Sequence, residues 1–193
     1  MFKMVVGAIA IVLTLIAYVP YIKDIVVGKT KPHIYSWISW FLTGGIVFAL
    51  QLSNNAGSGA FVTLAAELAC ALVIYLTVKH KVSSKITNTD KAFILLSLIA
   101  LGFWLIAKQP IISAILLTLT DLLALAPTIR KSWTAPHSET LSFYFLNILR
   151  FGLAVVALSN YTAVTVLYPA TWFMANALFV CMLVFRRKTL KKV

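Results

Sequence analysis

Glu67, Asp121 and Arg150 are charged residues that fall inside long apolar stretches of this 193-residue chain. A charge held in hydrocarbon costs several kcal/mol, so such residues read as functional before they read as scaffold. With a rise of about 1.5 Å per residue, counted from the basic end of each stretch, Asp121 lies roughly 13 Å deep, Arg150 roughly 16 Å and Glu67 roughly 18 Å. By the same count Asn176 lies about 15 Å from Arg186, and Thr14 about 13 Å from Lys23. Five polar side chains from five stretches thus share one level, as a central binding site would require. Two chemistries are open to the charged trio. Arg150 and Asp121 can form an interhelical ion pair that locks the chain. Two acids to one arginine also leave one carboxylate over, and that group can carry a proton.

Aromatic residues supply the other half of a site. Trp37 and Trp40 are three residues apart, and Trp172 and Asn176 four apart, so each pair shares a helical face. The flat face of a tryptophan suits a sugar ring or a nucleobase, and an asparagine amide both donates to and accepts from hydroxyls. Tryptophan near a helix end is also a common interfacial anchor, the expected role of Trp37, Trp104 and Trp133; Trp40 and Trp172 fit either role. The candidate substrate-binding set is Trp40, Glu67, Asp121, Asn147, Arg150, Trp172 and Asn176. His33, His80 and His137 fall in loops or at helix ends and read as solvated rather than coordinating. No nucleophile with a neighbouring base, no HExxH and no Gly-rich phosphate loop occurs. No catalytic residue, metal or cofactor is therefore expected, and an enzyme is the least favoured class.

These residues need a scaffold that spans a bilayer. The composition is 61% hydrophobic and 11% charged, far from that of a soluble domain. A hydrocarbon core of about 30 Å takes roughly 20 apolar residues. Such stretches occur near 4–22, 34–53, 58–78, 91–107, 110–129, 141–159 and 162–185. The expected fold is an all-α integral membrane protein of seven transmembrane helices. Lys23, Lys29 and Lys31 follow the first stretch, Lys79, Lys81, Lys85 and Lys91 the third, Arg130 and Lys131 the fifth, and Arg186 to Lys192 the seventh. Lys3 and Lys108 stand on the other side. By the positive-inside rule the N-terminus is outside and the C-terminus cytoplasmic, with the cell (inner) membrane as the expected location. The net charge of +12 is thus spent on topology and lipid headgroups; no nucleic-acid partner is expected. No small-residue cleavage site follows the first stretch, which reads as a retained helix. Cys70 and Cys181 lie in apolar surroundings and read as small hydrophobes. Gly44 and Gly45 read as points of close helix packing.

Sliding the sequence on itself by 107 residues aligns Pro20 with Pro127, Ile22 with Ile129, Lys23 with Arg130, Ile34 with Leu141, Trp37 with Tyr144 and Gly45 with Gly152. Trp40 and Asn147 occupy comparable positions. Pro32-His33 and Pro136-His137 recur in the two connecting loops, displaced by three residues. The chain then divides into residues 1–78, a first three-helix repeat; 79–108, a loop and linker helix; and 109–193, a second repeat with a basic tail. An odd linker makes the repeats parallel, one of the arrangements from which transporters are built.

This layout, with a proline at the cytoplasmic end of the first helix of each triplet, a basic loop and a Ser- and aromatic-rich second helix, resembles the PQ-loop and SWEET transporter superfamily. KTKPHIYSW and FLTGG at 41–45 resemble that family's second-helix segments, although Pro20-Tyr21 and Pro127-Thr128 stand where it has Pro-Gln. The resemblance implies a carrier that moves a small polar metabolite by rocking one triplet against the other. Pro20 and Pro127 would be its hinges, proton coupling an added option and a homo-oligomer a compatible assembly. A sugar is the first expectation, an amino acid or a nucleoside-like vitamin precursor the next. The alternative is a non-transporting membrane receptor or assembly factor of the same fold.

Overall fold

The structure, a computed structural model, describes residues 1–30, 32–80, 88–106 and 108–190. Lys31, Lys81, Lys85, Lys191 and Lys192 lie outside the described residues, as do the side chains of Trp104 and Pro127. Among the described residues the chain is helical with no strand: α1 (Phe2–Val26), α2 (Ile34–Ser53), α3 (Ser58–Lys79), α4 (Asn88–Leu105), α5 (Pro110–Thr134), a short 3-10 turn (Pro136–Ser138), α6 (Leu141–Ala157) and α7 (Ala163–Thr189). Five of these, α1, α2, α3, α5 and α7, are long and apolar enough to cross a membrane, and α6 is a shorter apolar helix of 17 residues.

Local sequence sets the helix ends. Pro110 stands in the first turn of α5, where its missing N–H costs nothing. Thr162 caps α7 through a reciprocal box with Thr165. Gly28 takes φ +72° just beyond α1, a left-handed conformation that glycine adopts without strain. Both helices run beyond their expected ends near residues 22 and 129: α1 passes through Pro20 to Val26, and α5 continues to Thr134. Each therefore projects beyond the apolar stretch that announced it.

Burial is inverted relative to a soluble bundle. Ile9, Val12, Ile16 and Val19 of α1, Leu68 and Leu72 of α3, and Met174, Leu178 and Phe185 of α7 are exposed, while Thr14, Gln51, Glu67, Asp121, Asn147, Arg150 and Asn176 are buried. Apolar surface turned outward over this many turns needs a lipid surround.

In the packing, α3 lies against both α1 and α2, and α7 against both α5 and α6. Between these sets, α1 packs on α6, α5 on α2, α3 on α6 and α7 on α2, while α4 rests on α2 and α5. Among the described residues, the backbones of α1 and α2 do not come close, nor do those of α5 and α6; α1 meets α2 through side chains, Tyr21 against Trp37. Leaving α4 aside, exchanging α1, α2 and α3 for α5, α6 and α7 leaves this pattern of contacts unchanged.

Candidate functional site

A cavity of about 50 Å³ lies inside the bundle, with space for a few water molecules. Tyr18 of α1, Trp37 and Trp40 of α2, Thr63, Glu67 and Cys70 of α3, Asn147 and Arg150 of α6, and Trp172 and Asn176 of α7 all line it. Six of the seven substrate-binding residues expected from the sequence thus meet at one place.

Asp121 is the exception. It is fully buried but does not line the cavity. Its Oδ1 accepts from the Thr43 hydroxyl, its Oδ2 from the Trp172 indole N–H at 3.4 Å, and its backbone carbonyl from the Trp40 indole N–H at 3.4 Å. Asp121 therefore lies behind the tryptophan wall and fixes it. The ion pair expected between Arg150 and Asp121 does not form; among the described residues the ion pairs are Lys29 with Asp24 and Lys131 with Glu139. Thr14 is also turned away, its hydroxyl donating to Ala10 O of its own helix at 2.7 Å.

Arg150 is held from two sides. Its Nε donates to Asn147 Oδ1 at 2.5 Å, one helical turn back. Its guanidinium carbon lies 3.9 Å from the centre of the Phe151 ring, a cation–π contact. Phe151 stacks on Trp172 with ring centres 6.0 Å apart and planes 11° apart. Asn147 thus enters as the residue that holds the arginine.

Glu67 sits where α2 makes room for it. A Cβ on Gly44 would come within 2.0 Å of Glu67 Oε1, so only glycine there leaves space for the carboxyl group. The close approach expected of Gly44 is made to an acidic side chain. Among the described residues Glu67 Oε2 has no hydrogen-bond partner although it is buried. Asn176 Nδ2 donates to Trp172 O at 2.6 Å, and Cys70 Sγ contacts Trp37 O at 3.3 Å.

The aromatic content exceeds what the sequence suggested. Trp37 is no interfacial anchor: it is 2% exposed, lines the cavity and packs against Tyr21 and Trp40 with ring centres 5.1 and 5.4 Å apart. Trp133 stays 49% exposed under the Arg186 guanidinium, as an anchor would. Trp40 meets Trp172 edge-on at 5.7 Å. Tyr18, Tyr168, Phe143 and Phe151 also line the cavity and were not singled out by sequence reasoning. Their one available signal was helical spacing, Tyr18 standing one turn from Thr14.

Hydrogen bonds tie the helices together at both ends of the bundle. At the end that carries the N-terminus and the α2–α3 and α6–α7 turns, Ser58 donates to Lys3 O at 2.8 Å and Ala157 O at 3.1 Å, and the Ser159 amide donates to Ala56 O at 2.9 Å. At the basic end, Glu139 accepts from Lys131 and from the Tyr144 hydroxyl at 3.0 Å, while Thr140 donates to Asp24 at 2.7 Å. A second, roomier pocket of about 380 Å³ opens there, lined by Pro20, Asp24, His137, Glu139 and Arg187 among others. Pro20 is thus half-buried at its edge. His137 is half-buried too, and not the solvated residue expected.

No family model, curated protein or solved structure matches the chain.

Proposed function

We propose that the protein is a seven-helix membrane carrier for a small polar metabolite, working by alternating access between two parallel three-helix repeats. The observation that carries this reading is the cavity itself, which pairs two charged side chains with no ion pair between them. A bundle that only needed stability would gain by pairing or removing them, since an unpaired buried charge is costly. Here, among the described residues, Glu67 keeps an unbonded oxygen and Arg150 hydrogen-bonds through Nε alone. The exchange symmetry of the helix contacts supports two repeats of like fold, residues 1–78 and 109–193 with a linker between, and the positive-inside count supports an external N-terminus. The resemblance to PQ-loop and SWEET transporters fits the same reading. At about 50 Å³ the cavity describes a contracted state, so admission of a metabolite requires the repeats to part.

Reconstituted proteoliposomes preloaded with buffer should take up at least one member of a sugar, amino-acid and nucleoside panel, and Trp172→Ala should reduce that uptake. A proton-coupled cycle would run through Glu67 rather than Asp121, because Glu67 can gain and lose a proton without breaking a fixed hydrogen bond. Glu67→Gln should then remove any dependence on a proton gradient. Binding without flux across the whole panel would replace the carrier with the alternative, a non-transporting receptor or assembly factor.

A further inference from the structure

The Arg150 side chain is held at Nε and over one flat face. Asn147 occupies Nε at 2.5 Å and Phe151 covers a flat face at 3.9 Å, leaving Nη1 and Nη2 with no hydrogen bond to any described residue. The residue is 5% exposed and lines the cavity. A guanidinium in this state is a planar fork with its outer edge vacant.

From this geometry we infer that the ligand of the central cavity carries a carboxylate, which takes the free edge of Arg150. The inference rests on the carrier reading only in treating the cavity as a ligand site. Carboxylate oxygens match the guanidinium edge in spacing and plane, and two parallel charge-assisted hydrogen bonds are roughly twice as strong as neutral ones. A neutral polyol would supply hydroxyl acceptors but leave the buried charge uncompensated. Glu67 in the same cavity repels a doubly charged phosphate about twice as strongly as a singly charged carboxylate. The tryptophan wall is fixed from behind by Asp121. Asn147 is a positioning residue: it sets the angle of the fork without needing to touch the ligand.

The test uses the purified full-length protein and matched pairs that differ only at the carboxylate: L-alanine with alaninamide, L-lactate with lactamide, and L-phenylalanine with its amide, with glucose alongside. Thermal shift and quenching of indole fluorescence from Trp40 and Trp172 report binding. At least one acid should bind about tenfold or more tightly than its amide, the expected worth of a hydrogen bond to a charged group. Arg150→Lys keeps the charge but loses the fork and should narrow the acid–amide gap. Asn147→Ala should narrow it as well, and should also lower the melting temperature of the unliganded protein, because the buried Nε is left unpaired. Equal binding of acid and amide, binding of glucose alone, or no response to any acid would each overturn the inference. If both variants fail to fold, the wild-type pairs still decide. Flux of the same probes separates this inference from the carrier reading: an acid that binds but is not taken up keeps the carboxylate site and sinks the carrier. Glucose uptake with no acid binding does the reverse.

Discussion

At the turn end of the bundle, glycines and short side chains bring backbone against backbone, whereas at the basic end long charged and aromatic side chains span a pocket. A Cβ on Gly57 would lie 2.0 Å from Ser159 Oγ, and one on Gly59 would lie 2.7 Å from a Leu158 methyl and 3.1 Å from Ala154 O. Gly57 also holds φ +67°. Glu139, by contrast, gathers Lys131 and Tyr144 through flexible side chains beside a pocket of about 380 Å³. Backbone contacts at van der Waals distance cannot slide without losing their fit, while side-chain bonds can be exchanged for water. The difference places the resistant seal at the turn end and the yielding one at the basic end.

Substitutions can break this comparison. Gly57→Val should have the largest effect, since a left-handed backbone and a direct clash together cost about 2–6 kcal/mol; a melting temperature near that of the wild type would remove the turn-end seal from the account. Glu139→Gln should cost less, about 1–3 kcal/mol. It should also quicken labelling of Cys70, which lines the cavity, by a polar maleimide in a Cys181→Ser background. If labelling stays at the wild-type rate, the basic end is not the yielding one. Thr162→Ala removes the cap of α7 and should lower stability by about 1 kcal/mol, read from the midpoint of thermal unfolding. Smallest of all is Lys29→Met: its partner Asp24 is 3.4 Å away and the lysine side chain is 63% exposed, so both melting and Cys70 labelling should match the wild type.

The helices were legible because apolar runs of membrane length admit little else, and each expected stretch coincides with a helix. The level of the site was legible too, since depth along a helix follows from residue count. Direction around the axis was not. Asp121 shares the depth of Arg150 yet faces Thr43, and no count of residues reveals that. Trp37 misled for a related reason. A tryptophan two turns or fewer from a helix end is an anchor or a core residue according to which face its neighbours cover, and here Tyr21 and Trp40 cover it. Asn147 was placed in the set by its match to Trp40, but its work on Arg150 needed the three-residue spacing to be read as a hydrogen bond. Gly44 was read as small for the sake of packing, and only the packed partner shows that the partner is an acid.

The hydrogen bond from Thr43 to Asp121 has a consequence for how such a chain can be assembled. At the 107-residue offset Asp121 matches Thr14 and Thr43 matches Arg150, so the α2–α5 contact has its counterpart in α1 against α6. A two-fold dimer of the second half alone would set Asp121 against Arg150 twice, cancelling both guanidinium charges. A dimer of the first half would oppose Thr14 and Thr43, with no charge at either contact. On the two-repeat reading proposed above, an unlike pair parks the acid behind a threonine and leaves one arginine without an acid partner among the described residues. On the same reading, it is the pairing of unlike halves that makes the site asymmetric.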